Sequence, residues 1–386
     1  MIIAHLDDTI LKKTGKKIHG TAWRRDPLGP PFHTNFIWGQ RFLQISMALP
    51  NEKNNCQSKA IPIDLHHCPT LKKLSKYADT AQQKTFKEEQ RIAKLSKQGS
   101  LRIEALRNKL DLQGAKQREL VISVDGGYTN ETVLKSLPDK VTLIGRVRKD
   151  AKTYKLPDEQ PAKGRKKVYG DQLPTPEQIR QSDDIPWQTL NAWSAGKSHN
   201  FNVKVVKNIR WRAAGKKILQ MVVIRPLAYR LTKNSKLLYR QPAYLICTDN
   251  NMPAEKLVQA YLWRWEIEVN FRDEKTILGC GEAQVRDPEA VKNIPAFITA
   301  LYAFMHLSIH RTCKKRDSST LPRPKWYPAK PDQRITTSEI INLFRAHIWS
   351  KWSNSNFSGF MENEHKNRSM KNETNPLIAA IFYNRK

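Results

Sequence analysis

LVISVDGGYTNETVL, residues 120–134, is a short apolar run broken by Asp125-Gly126-Gly127. A continuous apolar run of this length, bounded by a turn, reads as a buried strand. The two glycines turn the chain, and Thr129 or Asn130 is placed to cap a following helix. VTLIGRV at 141–147 then returns as a second strand. Strand, helix and strand in this order predict a mixed α/β sheet. Outward from here, residues 2–7 and 41–49 (RFLQISMAL) read as further strands, with 19–24 a weaker one. Residues 84–110 are charged with apolar positions at helical spacing. Residues 150–185 are basic and Pro-rich and read as a linker or DNA-contacting loop. Residues 201–247 alternate in strand fashion (FNVKVVKNIRW, KILQMVVIRPL, PAYLICTD), which predicts a β-rich insertion. Helical pattern returns at 253–277 and 287–312, and once more at 337–351 within a tail that opens basic and Pro-rich.

The helix at 253–277 contains YLWRWEIEVNFRDEK, residues 261–275. At about 100° per residue, Tyr261, Arg264, Glu268 and Lys275 share roughly a 60° arc. Trp265, Leu262 and Val269 form a ridge on one side, and Trp263, Ile267 and Phe271 one on the other. A carboxylate in a furrow between apolar ridges is costly unless it is paired with a cation or bound to metal. Two readings of Glu268 follow: an i,i+4 ion pair with Arg264, or a metal ligand.

The composition narrows the partners. Of 386 residues, 67 are Lys or Arg and 36 Asp or Glu, a surplus of +31 that points to a polyanion, most simply nucleic acid. No run of 18 apolar residues exists, so no membrane span is expected. MIIAHLDD opens with acids where a signal peptide needs a basic region. The five cysteines (56, 68, 247, 280, 313) are scattered and lack CxxC spacing, which suits a reducing cytoplasm. His66-His67-Cys68 has zinc-ligand residue types but no second half-site.

Two predicted strands end on acids, IIAHLD on Asp7 and LVISVD on Asp125, and the helix supplies Glu268. Three carboxylates from distant points in sequence can hold two Mg²⁺ ions for in-line attack on a phosphodiester. Asp7 and Asp8 compete for the first position. Strand alternation puts Asp7 on the face of His5 and Ile3, and Asp8 on the apolar face of Leu6, Ala4 and Ile2, which favours Asp7. Arg146, Arg148 and Lys149 follow the strand after Asp125, and Arg165, Lys166 and Lys167 occupy the next loop; both clusters are expected to contact DNA phosphates.

The spacing Tyr261-x2-Arg264-x3-Glu268-x6-Lys275 resembles the YREK signature of bacterial insertion-sequence transposases of the DDE class. VISVDGG, GRVRKDAKTY at 145–154, PAKGRKKVYGD at 161–171 and the opening DDTIL are similar to other segments of that family. The DDTIL register again selects Asp7. The resemblance implies an RNase H-like mixed sheet flanked by helices and interrupted by a β-rich insertion domain. The expected division is a first part of the core at 1–149, loop and insertion at 150–250, the rest of the core with the YREK helix at 251–312, and a basic tail at 313–386. It further implies cleavage and strand transfer dependent on Mg²⁺ or Mn²⁺, with Asp7, Asp125 and Glu268 as catalytic metal ligands. Tyr261, Arg264 and Lys275 would handle DNA near the scissile phosphate. The implied partners are double-stranded transposon inverted-repeat ends and target DNA, engaged by a homodimer in a prokaryotic, nucleoid-associated setting. Family members usually carry a substantial region before the first acid, and only six residues precede Asp7, so an N-terminally truncated copy is expected. The competing expectations are a non-catalytic DNA-binding relic and a stand-alone RNase H-like nuclease.

Overall fold

β1 (Ile2–Lys12) is an interior strand of an 11-stranded sheet, paired on one side with β3 and on the other with β5. A computed structural model of the chain describes residues 1–26, 29, 33–50, 58–158, 164–194, 196–230, 232, 234–312 and 335–352. In chain order the first strands are β1, β2 (Ala22–Arg25), β3 (Phe36–Pro50) and β4 (Ser58–Cys68). Helices α1 (Thr80–Ala93) and α2 (Leu95–Leu110) precede β5 (Leu120–Val124), α3 (Glu131–Lys135) and β6 (Val141–Arg146). The inserted stretch holds β7 (Thr153–Lys155), α4 (Pro176–Gln181), β8 (Gln188–Ser194), β9 (Lys197–Trp211), β10 (Leu219–Ile224), the small hairpin β11 (Ala228–Tyr229) and β12 (Leu238–Tyr239), and β13 (Ala243–Cys247). Four helices follow: α5 (Ala254–Trp263), α6 (Trp265–Thr276), α7 (Pro288–Thr312) and α8 (Thr337–Trp352).

The strand order is β2-β3-β1-β5-β6-β13-β10-β9-β7, with β4 also on β3 and β8 also on β9. β5 and β6 run parallel to β1, while β3 and β13 are antiparallel to their neighbours. This is the mixed sheet that the strand–helix–strand order predicts. Apart from the β11–β12 hairpin, the described inserted strands extend the main sheet, because β13 pairs with β6 and carries β10 and β9 outward from it. Strand parity sorts the two faces. Leu120, Ile122 and Val124 of β5 join Ala4, Leu6, Ile103 and Leu134 in one core, under α2 and α3. Val121 joins Ile144, Leu257, Val258 and Ala260 in the other, under α5. Each such fully buried aliphatic side chain contributes about 1.5–3 kcal/mol.

Several elements differ from expectation. β1 does not end at Asp7 but runs on to Lys12, held by β3 through Asp7↔Gln44 and Lys12↔Gly39. β4 was not foreseen, and the expected linker at 150–185 contains β7 and α4. The helix expected over 253–277 is two, broken at Arg264, whose backbone N–H reaches the carbonyl of Tyr261 three residues back at 3.1 Å. Trp263, Ile267 and Phe271 are buried as the ridge pattern requires. Trp265 is 62% exposed, so the ridge expected from Trp265, Leu262 and Val269 is buried only in part, with Leu262 and Val269 half-buried. Cys68, Cys247 and Cys280 are free and buried, whereas Cys56 and Cys313 lie outside the described residues, as does most of the expected tail.

Candidate active site

The parallel pairing of β1 with β5 stops at Leu6↔Val124. The next residue on each strand is an acid, Asp7 and Asp125. β1 continues beside β3, but β5 ends and the chain turns away, leaving a notch at the carboxyl end of β5. The turn is built from its own residues. The Asp125 carboxylate accepts the Gly127 N–H at 2.8 Å, and Thr129 Oγ1 donates to the Asp125 carbonyl at 2.7 Å. Asn130 rather than Thr129 caps α3, accepting the Val133 N–H at 3.2 Å. Gly145 of β6 is required here, since a Cβ at that position would come within 2.1 Å of Thr129 Oγ1.

Arg264 joins the helix to the notch. Nη1 donates to Asp7 Oδ2 at 2.8 Å and Nη2 to Glu268 Oε1 at 3.0 Å, so one guanidinium spans both acids. The Arg264 and Asp7 side chains are 14% and 16% exposed, Glu268 34%. Burial works against the guanidinium charge, and Tyr261, Asp7, Glu268 and Asp125 together more than offset it. Burial pushes the Asp7 carboxyl up to about 7; Arg264 opposes the rise and the Asp125 charge adds to it. The half-buried Tyr261 ring stands 5.7 Å from the Arg264 guanidinium. The expected ion pair at i,i+4 is therefore present, but it is one arm of a three-residue contact.

Asp8 faces the other side of the sheet, where Tyr128 Oη donates to it at 2.6 Å and Arg41 stands at 3.4 Å. Asp7 alone of the two shares a face with the helix of Glu268. Lys275 is not at this contact; it stands about 10 Å along the helix axis from Glu268, beside Glu274 and Cys280, with burial lowering its pKa. Arg146, Arg148 and Lys149 line an open groove of about 980 Å³ that begins at Gly126 and Thr129 and is walled by Arg180, Trp211 and Tyr244. Arg148 is also held by Asp150 at 3.0 Å. Arg165, Lys166 and Lys167 are exposed and do not line that groove. His5 was noted in the sequence only as a neighbour of Asp7. It is fully buried on that face, burial and the Arg264 charge push its imidazole down to about 3, and both ring nitrogens lack a partner. Tyr128 and Arg41 were missed, since neither carries a local sequence signal linking it to Asp8.

Among the described residues, no three His, Cys, Asp or Glu side chains stand close enough together to hold a metal ion. The donor chemistry nevertheless suits Mg²⁺, which takes a few carboxylate oxygens, and Arg264 marks where positive charge is accommodated between two of them. No described helix is long and apolar enough to cross a membrane. A comparison with curated proteins finds no match. Residues 100–304, just over half of the chain and including Asp125 and Glu268, match the family described as "Transposase DDE domain". The chain therefore belongs to that family, the DDE transposases of insertion sequences.

Proposed function

We propose that this transposase cuts and rejoins DNA at the ends of its element, with Asp7, Asp125 and Glu268 as the catalytic carboxylates. The observation that carries the reading is the single guanidinium of Arg264 bridging Asp7 and Glu268 within the field of Asp125. These three acids would hold Mg²⁺ or Mn²⁺, which when bound activates a water or 3′-hydroxyl and steadies the leaving oxygen of a phosphodiester. Binding requires Arg264 to release at least one carboxylate, and a phosphate oxygen is the natural new partner for a guanidinium. Tyr261 stacks beside Arg264 and limits the directions in which that side chain can turn. Lys275, farther along α6, would meet a phosphate one or two nucleotides removed from the cut. Arg146, Arg148 and Lys149 would follow the duplex backbone along the groove, with the exposed Arg165–Lys167 cluster outside it. The substrates on this reading are inverted-repeat ends and target DNA, synapsed by a homodimer.

The test is Glu268→Gln, which keeps shape and loses charge. Mg²⁺-dependent nicking and strand joining should disappear while duplex binding survives. Full cleavage by this variant would return Glu268 to a purely structural ion pair.

A further inference from the structure

Helix α1 has no buried residue along its 14 positions. A helix of that length is marginal in water unless a face is packed, yet this one is carefully closed at its start. Asp79 accepts the Gln82 N–H at 2.7 Å while Gln82 Oε1 accepts the Asp79 N–H at 3.2 Å, a complete capping box. Local chemistry therefore specifies a helix that the rest of the described protein leaves uncovered. Its charges are not evenly spread. Between residues 72 and 97 there are eight Lys or Arg against three Asp or Glu. Lys84, Lys87 and Arg91, at i, i+3 and i+7, fall within roughly a 60° arc of one face. Arg91 is shared with Glu88 at 2.6 Å, whereas Lys84 and Lys87 are exposed.

Position gives the stripe a meaning. α1 leads directly into α2, whose first turns pack against the notch. A Cβ on Gly99 would stand 3.1 Å from the ring of Tyr128, which itself donates to Asp8 at 2.6 Å. Ser100 Oγ and Ser136 Oγ, 2.6 Å apart, close the same contact from the side of α3. The α1–α2 junction thus sits at the carboxylate end of the sheet, on the face opposite α5 and α6. α1 also precedes the residues matched to the transposase family.

We propose that α1 is a DNA-backbone clamp, whose Lys84, Lys87 and Arg91 contact phosphates of a duplex flanking the catalytic notch. The inference rests on the transposase reading for the identity of its ligand and on charge complementarity for the docking. DNA held at the notch would be gripped on one side by the α5–α6 cations and on the other by this arm.

The experiment uses the full chain. Binding of a fluorescent 30-base-pair duplex is measured in EDTA across a salt series for the wild type and for Lys84→Ala/Lys87→Ala/Arg91→Ala. These exposed positions tolerate alanine in a helix. Each lost phosphate contact lowers the slope of log K against log salt by about 0.9, so the triple variant should lose roughly 2–3. Backbone amides of 80–93 should also gain hydrogen-exchange protection when wild-type protein binds the duplex. A control, Lys109→Ala/Lys116→Ala in the last turn of α2 and in the segment that follows it, should leave the slope unchanged. An unaltered slope in the triple variant overturns the clamp, and so does an equal fall per charge in the control, which would signify bulk charge alone. Binding is read without catalysis, so a wild type that binds but fails to nick would refute the proposed chemistry and leave the arm's test intact.

Discussion

Asp7→Asn should make the metal-free protein more stable at neutral and alkaline pH. Burial raises the Asp7 pKa from 3.8 to about 7 despite the contact with Arg264. The folded chain therefore holds this proton more tightly than the unfolded chain does. Its contribution to wild-type stability is greatest below pH 3.8, falls as pH rises between 3.8 and about 7, and is constant above. At about 1.4 kcal/mol per unit, the charged carboxylate costs about 4 kcal/mol at pH 8. Asparagine mimics the protonated form and escapes that loss, leaving Arg264 to Glu268. Urea unfolding in EDTA at pH 5 and pH 8 reads the difference directly. With slopes of about 1–3 kcal/mol per molar urea, the Asp7→Asn midpoint at pH 8 should exceed wild type by roughly 1 M or more, with a smaller gap at pH 5. Added Mg²⁺ should stabilise the wild type and narrow the gap, because a ligand of the native state raises its stability. A variant less stable than wild type at pH 8 in EDTA would refute the reasoning, since Asp7 would then be a net structural partner of Arg264.

Two further outcomes test the support of the notch and that of the groove wall. Gly145→Ala places a methyl within 2.1 Å of Thr129 Oγ1, so it should cost about 1–3 kcal/mol by thermal unfolding; normal stability would show that the Asp125 turn is not anchored through Thr129. Lys204, 1% exposed, donates to the carbonyls of Ile179, Arg180 and Ser182 at the end of α4 and lies over the Trp187 ring. Lys204→Met should leave those carbonyls unpaired and speed hydrogen exchange across 176–187, where an unchanged pattern would count against the anchor.

The parts of this arrangement that were legible in the sequence are those where one local pattern changes abruptly. Asp125 stands where an apolar run meets two glycines, and strand alternation anticipates that Asp7 and Asp8 face opposite sides of the sheet. The continuation of β1 past Asp7 was hidden because two adjacent acids interrupt its apolar face; only the pairing with β3 reveals it. β4 was hidden by Pro62, which reads as a strand breaker. The proline is tolerated because β4 is an edge strand and the register shifts between Ile45 and Ser46, beside its partner position. The break at Arg264 has no sequence cue, since WRWEIE keeps helical composition through it. The burial of Lys204, within the alternating stretch FNVKVVKNIRW, depends on α4, an element the Pro-rich loop concealed.

The joining of β13 to β6 has a mechanical consequence. A continuous hydrogen-bonded sheet has no hinge, so the inserted strands cannot swing against the carboxylates as a tethered module could. From β6 through β13 and β10 to β9, which carries Lys204, is three strand spacings, roughly 14 Å. The wall of the basic groove and the end of β5 are thus marks on one rigid ruler. On the proposed reading, in which that wall grips DNA, the position of a cut would be measured out by strand count rather than by the reach of a flexible linker.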